Sequence, residues 1–381
     1  MKKILILCLA AILAIAMAGC SNQGDAGQPE NTGSSEVSGK RVAYIMQMAP
    51  SDIFEMWSES AQETAEALGM EYQAFFCGGS DDEWQDTVRQ CAADGYDGLL
   101  LSHGGKEYSY TFLTELLEEY PELKIVTFDT QFEDADGQAQ KIEGVTQFFQ
   151  QDAQLSELLL DYICNTLYAD KTEAGEPVNI LKVWVGPDFL SSFDRRETGY
   201  AEYEQNGMIN TVETIAPSDF SDAENSVAEA ASAALEKYGE GEIDAVWCCY
   251  DLYASGVYTA LTEGGYDIPM VSVDICNADI EKMAQEGSPW KACATTNWYN
   301  NGEFGMRVLA LELVDEYDKI IDPMTGEASD WLELPASLVT QDMVSGGGIT
   351  VSNLDTVAGE NYSDRSWMPT ADWMTESLSD K

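Results

Sequence analysis

One histidine, nine cysteines and a large excess of carboxylates bound the chemistry open to this chain. His103 is the only imidazole, so a Ser-His-Asp or Cys-His arrangement would have to use it. It stands in the run Ser102-His103-Gly104-Gly105, which reads as a turn or a residue supporting a site rather than as a base. GxSxG, HExxH and Walker-type loops are absent, and Gly346-Gly347-Gly348 reads as a turn rather than a phosphate cradle. Carboxylate pairs of the kind used in glycoside hydrolysis could be drawn from 68 Asp and Glu, so counting alone leaves a surface glycosidase open.

The cysteines carry no metal-binding pattern. CxxC spacing and Cys-His pairing are both missing, so neither metal nor cofactor is expected. Cys8 and Cys20 lie in the N-terminal segment, and the remaining seven cannot all pair within one chain. Cys248 and Cys249 would alternate faces on a strand, a poor geometry for a disulfide. Most of the others sit in apolar runs, where a thiol packs as a small hydrophobe.

The carboxylates are better suited to recognition, because a carboxylate can accept hydrogen bonds from two neighbouring hydroxyls. The net charge of −49 argues against nucleic acid and anionic lipid surfaces as partners. Apolar residues make up 45% of the chain, enough for globular cores, and 381 residues suggest two domains.

The N-terminus bears on the compartment. Lys2 and Lys3 precede an apolar run over 4–18, shorter than the roughly 20 residues of a membrane-spanning helix, so 1–19 reads as a signal peptide. Met17-Ala18-Gly19-Cys20 resembles the lipobox of bacterial lipoproteins, with Met17 where Leu is usual. That resemblance implies lipidation of Cys20, export, and anchoring to the outer face of the bacterial cell membrane. Residues 20–40, rich in Gly, Ser, Asn and Glu, read as a disordered tether.

The elements that must position a site follow in alternation. Strands are expected over 41–48, 70–76, 97–102 and 123–128, with helices over 51–68, 80–93 and 106–119 between them. A second set follows, with strands over 178–185, 210–216, 245–249, 269–273 and 290–295. Its helices cover 151–168, 192–206, 222–238, 252–263, 279–285 and 299–317. Apolar strands alternating with helices predict an α/β chain of two similar, doubly wound, parallel-sheet domains. Ligands in such folds bind beyond the carboxyl ends of the strands.

At those strand ends the chain resembles the ribose-type (type I) periplasmic sugar-binding proteins. Residues 48–69 (MAPSDIFEMWSESAQETAEALG) look like their first loop and helix, and 124–131 (KIVTFDTQ) like their fourth strand with its ligand Asp. Residues 194–200 (DRRETGY), 245–254 (AVWCCYDLYA), 270–274 (MVSVD) and 334–343 (LPASLVTQDM) match later segments in order. The resemblance implies two lobes joined by a multi-strand hinge: 41–147 with 297–335, and 148–296 with 336–350. Residues 351–381, with Trp367, Met368, Pro369 and Trp373, are a C-terminal extension that could pack on one lobe or meet a permease.

It also implies a function, that of the solute-binding lipoprotein of an ABC importer, partnered by permease and ATPase subunits. A small neutral polyhydroxylated ligand would be held by hinge closure. Carried over position by position, the ligand set is Ser51, Phe54, Asp129, Thr130, Asp194, Arg196, Tyr250, Asp251, Asp274, Asn297 and Trp298. Asp194 replaces an Arg of the family and Tyr250 an Asn, so the cargo differs from ribose. Three carboxylates close together would also suit a cation, and aromatic walls a nucleoside. Presentation of the closed form to a sensor kinase is a further alternative.

Overall fold

The computed structural model describes residues 35–134, 136–239 and 241–378. The expected signal peptide, Cys20 and the first part of the tether lie outside these residues. From Ser35 the chain is already part of the body. Val37 is fully buried, and the Gly39 amide donates to the Gly69 carbonyl (2.8 Å), so the folded part begins some residues before the expected boundary at 41.

The first lobe opens with strand β1 (Arg41–Met46), helix α1 (Asp52–Ala67), β2 (Glu71–Phe76), α2 (Asp81–Ala93), β3 (Gly98–Ser102), α3 (Lys106–Glu119) and β4 (Lys124–Phe128). A hairpin of two short strands, β5 (Phe132–Glu133) and β6 (Ala139–Gln140), then leads into β7 (Val145–Gln150). The sheet is completed from far along the chain by β13 (Trp331–Leu334), giving the order β13-β7-β4-β3-β1-β2, parallel throughout.

The second lobe contains α4 (Asp152–Asp161), α5 (Ala169–Glu173), β8 (Val178–Val183), α6 (Ser191–Gln205), β9 (Ile209–Ile215) and α7 (Ala223–Lys237). It continues with β10 (Ala245–Cys248), α8 (Asp251–Gly264), β11 (Met270–Val273), α9 (Asn277–Met283) and β12 (Trp290–Thr295). Its sheet runs β14-β12-β11-β10-β8-β9, in which only β14 (Ser337–Thr340) is antiparallel. Two doubly wound α/β lobes are therefore present, as expected.

The chain passes between lobes after β7, after β12 into α10 (Trp298–Glu312), and from β13 to β14. Strands β7 and β13 are not among the strands expected from the sequence. In β7 (VTQFFQ) the apolar run is broken by Thr146, Gln147 and Gln150, yet every residue is buried. Thr146 donates to buried Glu312 (2.5 Å), a tertiary pairing that local pattern does not reveal. The helix expected over 151–168 is α4 followed by a π-helical turn at Tyr162–Leu167.

Two helix pairs pack by close backbone contact. A Cβ on Gly302 of α10 would meet the Trp57 carbonyl of α1 at 2.0 Å, and one on Gly199 of α6 would meet the Ala153 carbonyl of α4 at 2.2 Å. Only glycine lets these helix pairs approach so closely. Trp57 and Trp84 are core residues. Cys77, Cys91, Cys164, Cys248, Cys249, Cys276 and Cys293 are all free, and only Cys276 is not fully buried. The C-terminal extension packs back on the first lobe. Arg365 pairs with buried Glu303 of α10, Trp367 meets Phe304, and Leu354 and Met374 are fully buried.

Candidate ligand-binding cleft

The carboxyl ends of both sheets face one cavity of about 500 Å³. Three of the residues that line it are non-glycine residues in the left-handed region: His103 after β3 (φ 60°), Asp129 after β4 (φ 46°) and Asp274 after β11 (φ 68°). Such backbone costs on the order of 1 kcal/mol or more per residue and gathers where a side chain must be aimed. Here it turns one imidazole and two carboxylates toward the space between the lobes.

Helix α6 supplies the charge that holds the carboxylates. Arg195 donates from Nη2 to Asp129 Oδ1 (2.8 Å), from Nε to Asp152 Oδ2 (2.9 Å) and from Nη1 to Gln131 Oε1 (3.1 Å). It thereby ties the second lobe to the loop after β4. Arg196 donates to Asp152 Oδ1 (2.9 Å), the Cys249 carbonyl (2.7 Å) and Asp274 Oδ2 (3.0 Å). A planar guanidinium with five donors suits such multiple pairing.

Burial raises the pKa of Asp129, but Arg195, His103 and Arg196 together outweigh burial and hold the carboxyl below its ordinary range. Burial pushes Asp152 up to about 6 against the pull of Arg195 and Arg196. Burial also lowers the pKa of His103, opposed by Asp129 and Asp274, so at neutral pH the ring is uncharged. Its Nδ1 meets Ser102 Oγ at 2.7 Å, and its Nε2 lies 3.7 Å from Asp129 Oδ2.

Two buried polar atoms of this wall have no protein partner: Asp274 Oδ1 and the Trp298 indole Nε1. Leaving such groups unmet costs about 1–3 kcal/mol each, so an acceptor and a donor stand available to something else. The floor is aromatic. Phe54 packs edge-on to His103 (5.3 Å) and Trp298 (5.8 Å). Opposite stand Phe193 and Tyr250, with ring centroids 5.8 Å apart.

Of the carried-over residues, Phe54, Asp129, Arg196, Tyr250, Asp274 and Trp298 line the cavity. Ser51, Thr130, Asp194, Asp251 and Asn297 do not, and each has a structural task instead. Ser51 caps α1 by accepting from the Phe54 amide. Thr130 is fully buried, accepting from the Gly104 amide and donating to the Phe128 carbonyl. Asp194 turns away and accepts from the Asp188 amide with both oxygens. Asp251 is buried beside Asp279 and Cys276 at the start of α8, and Asn297 caps α10 and donates to the Tyr362 carbonyl.

The expectation of three convergent carboxylates suited to a cation is thereby corrected. Asp194 is elsewhere, and Asp129 and Asp274 each face a guanidinium. Sequence reasoning missed Arg195, Gln150, Phe193 and the cavity position of His103. The doublet Arg195-Arg196 was the visible signal, but only Arg196 fitted the motif.

A parallel-sheet, two-lobed fold with polar groups converging from both lobes defines a cleft-type binding protein. The periplasmic binding protein domain profile matches residues 42–316, and the chain belongs to that family. This agrees with the expectation that it binds rather than converts its ligand. No curated protein matches the chain in sequence.

Among solved structures it is similar to a sugar ABC transporter protein of Yersinia enterocolitica. The two share 25% identity and a TM-score of 0.70 over 90% of this chain and 96% of that one. A 5-methylthioribose transporter solute-binding protein of Thermotoga lettingae, solved with 5-methylthioribose, matches at 19% identity and TM-score 0.70 over 90% and 99%. A periplasmic ribose ABC transporter protein of Conexibacter woesei matches at 15% and 0.66 over 89% and 100%. No helix among the described residues is long and apolar enough to cross a membrane.

Proposed function

We propose that this chain is the solute-capturing component of an ABC importer and binds a small, neutral, polyhydroxylated ligand, a sugar, between its lobes. The observation that carries the reading is Asp274. Its Oδ2 is fixed by Arg196 while its buried Oδ1 is left without a partner in the cavity wall. A ligand hydroxyl is the natural donor to that oxygen, and the C–H face of a sugar ring suits the Phe54 and Trp298 rings. Phe54, Asp129, Arg196, Tyr250, Asp274 and Trp298 are the proposed contacts, joined by His103 and Gln150.

The two lobes meet across the cleft through Arg195–Asp129 and through the Asn277 amide donating to Asp52 Oδ2 (2.9 Å). Both contacts would break on opening, which supports capture by hinge closure. Pairing of the carboxylates with arginine favours a neutral ligand over a cationic one.

The test is a thermal-shift panel of monosaccharides and short oligosaccharides. A ligand at 100 times its dissociation constant should add about 2.7 kcal/mol to stability. Asp274→Ala should lose that response while the free variant stays folded. The reading fails if no sugar shifts the wild type or if the variant responds normally.

Export and a lipid anchor at Cys20 complete the proposal. Their support is the apolar run over 4–18 and the Ala18-Gly19-Cys20 ending. In a bacterial host, labelled palmitate should be incorporated by the full chain and not by Cys20→Ala. Equal labelling of both would remove the anchor.

A further inference from the structure

The cavity is unequal in character from its floor to its mouth. Among the described residues six large apolar side chains are exposed, and four of them, Phe189, Leu190, Phe220 and Leu252, line this cavity. They are not scattered. Phe220 (52% exposed) stacks on Phe189 (40% exposed) with centroids 4.8 Å apart and planes 17° apart. Phe189 in turn faces buried Phe193 at 6.2 Å with planes 22° apart, and Phe193 meets Tyr250 at 5.8 Å.

The result is a line of rings from solvent to the interior, all on the second lobe. At its inner end stand Arg196, Asp274 and the uncharged His103. Isolated exposed apolar residues need no explanation, but an apolar cluster concentrated at one site marks a binding surface.

A free monosaccharide satisfies only the polar end. Its hydroxyls would gain nothing from Leu190, Leu252 and the two mouth phenyl rings, which offer no hydrogen-bonding groups. The arrangement fits a ligand that is itself divided, with hydroxyls at one end and a planar apolar group at the other.

We infer that the natural ligand is a sugar bearing an uncharged aromatic substituent, an aryl glycoside, with the sugar at Asp274 and the substituent along Phe193, Phe189 and Phe220. This rests on the sugar-binding reading above and adds to it a specificity subsite on the loop before α6 and the segment before α7. The same apolar mouth could instead be covered by a membrane permease, and the test separates the two.

Dissociation constants are measured by calorimetry for matched methyl and phenyl β-glycosides of glucose, galactose, xylose and ribose. For the sugar that is recognised, the phenyl glycoside should bind about tenfold or more tighter than the methyl glycoside. In Phe189→Ala/Phe220→Ala the ratio should fall to about twofold or less. Both residues are substantially exposed, so the variant should keep its fold, which circular dichroism checks. Leu252→Ser, at the start of α8, should lower the ratio in the same direction.

Equal affinity of methyl and phenyl glycosides for the wild type would overturn the inference while leaving sugar capture intact. A ratio that survives the double substitution would also overturn it. So would loss of uptake in cells by the double variant with an unaltered ratio, which would assign the surface to a permease. Absence of binding by any glycoside would overturn both this inference and the function on which it rests.

Discussion

Two groups of buried acidic side chains stand at the strand ends, and Asp129 in one and Asp251 in the other are shifted in opposite directions. In the first, Asp129, Asp152 and Asp274 surround the paired guanidinium groups of Arg195 and Arg196. In the second, Asp251, Asp279 and Cys276 place their ligand atoms within 4.8 Å of one another. Lys282 of α9 donates to Ser255 Oγ at 2.7 Å and pairs with Glu224 at 3.5 Å.

Burial raises the pKa of Asp251 well above the ordinary carboxyl value, and the neighbouring Asp279 raises it further. Burial raises Asp279 as well. Asp251 is therefore biased toward its protonated form, whereas Asp129 is biased toward its ionised form. The same residue type is a neutral packing group in one place and a charged recognition group in the other. The balance of burial against nearby guanidinium charge makes the difference, since Asp152 touches two guanidinium groups and is still raised to about 6 by burial.

The sharpest way to break this contrast is to remove the cation. Arg196→Met leaves Asp274 buried without a counter-charge and deprives Asp152 of one of two partners. Loss of one member of a buried pair costs about 3–5 kcal/mol. Urea unfolding at pH 7 should show a loss of that size, together with loss of the sugar response. A change below 1 kcal/mol would mean that the network adds nothing to the fold.

The second group should respond to pH with the opposite sign. A carboxyl whose pKa is raised by folding favours the folded state fully only below its unfolded value near 4, and that favour is lost as pH rises through the folded value. Asp129, lowered by folding, favours the folded state above about pH 4 and loses that favour as pH falls. Asp251→Asn keeps a donor toward Asp279 and removes a titrating group. It should therefore gain on the order of 1 kcal/mol at pH 8 and almost nothing at pH 4. Unfolding curves at the two pH values decide this, and an equal effect at both would contradict it.

The smallest effect is expected at Asp194, which the family alignment of motifs placed at the ligand. Asp194→Asn keeps an oxygen for the Asp188 amide. It should change stability by about 0.5 kcal/mol or less and sugar affinity by less than about threefold. A larger affinity loss, measured by calorimetry, would return Asp194 to the cleft.

The alternation of apolar strands with amphipathic helices made the α/β class legible, because period and hydrophobicity are local properties of the chain. Strand ends made the region of the site legible, since parallel sheets leave their ligand groups there. Strand β7 escaped because its Gln147 and Thr146 look like surface residues until their partners are known. Arg195 escaped for a related reason. Its role depends on Asp129, 66 residues away, and on Asp152, neither of which a local pattern connects to it.

The sequence by itself determined the alternating architecture, the absence of nucleophilic and metal-binding motifs, and the family resemblance at the strand ends. All of these follow from residue type and short-range order. Only the tertiary structure decided which carboxylates face a guanidinium, which polar atoms are left buried without partners, and that the apolar mouth residues line one cavity. Those outcomes are set by distances between residues remote in sequence, and in a buried site such distances fix both the charge of a group and what it can bind.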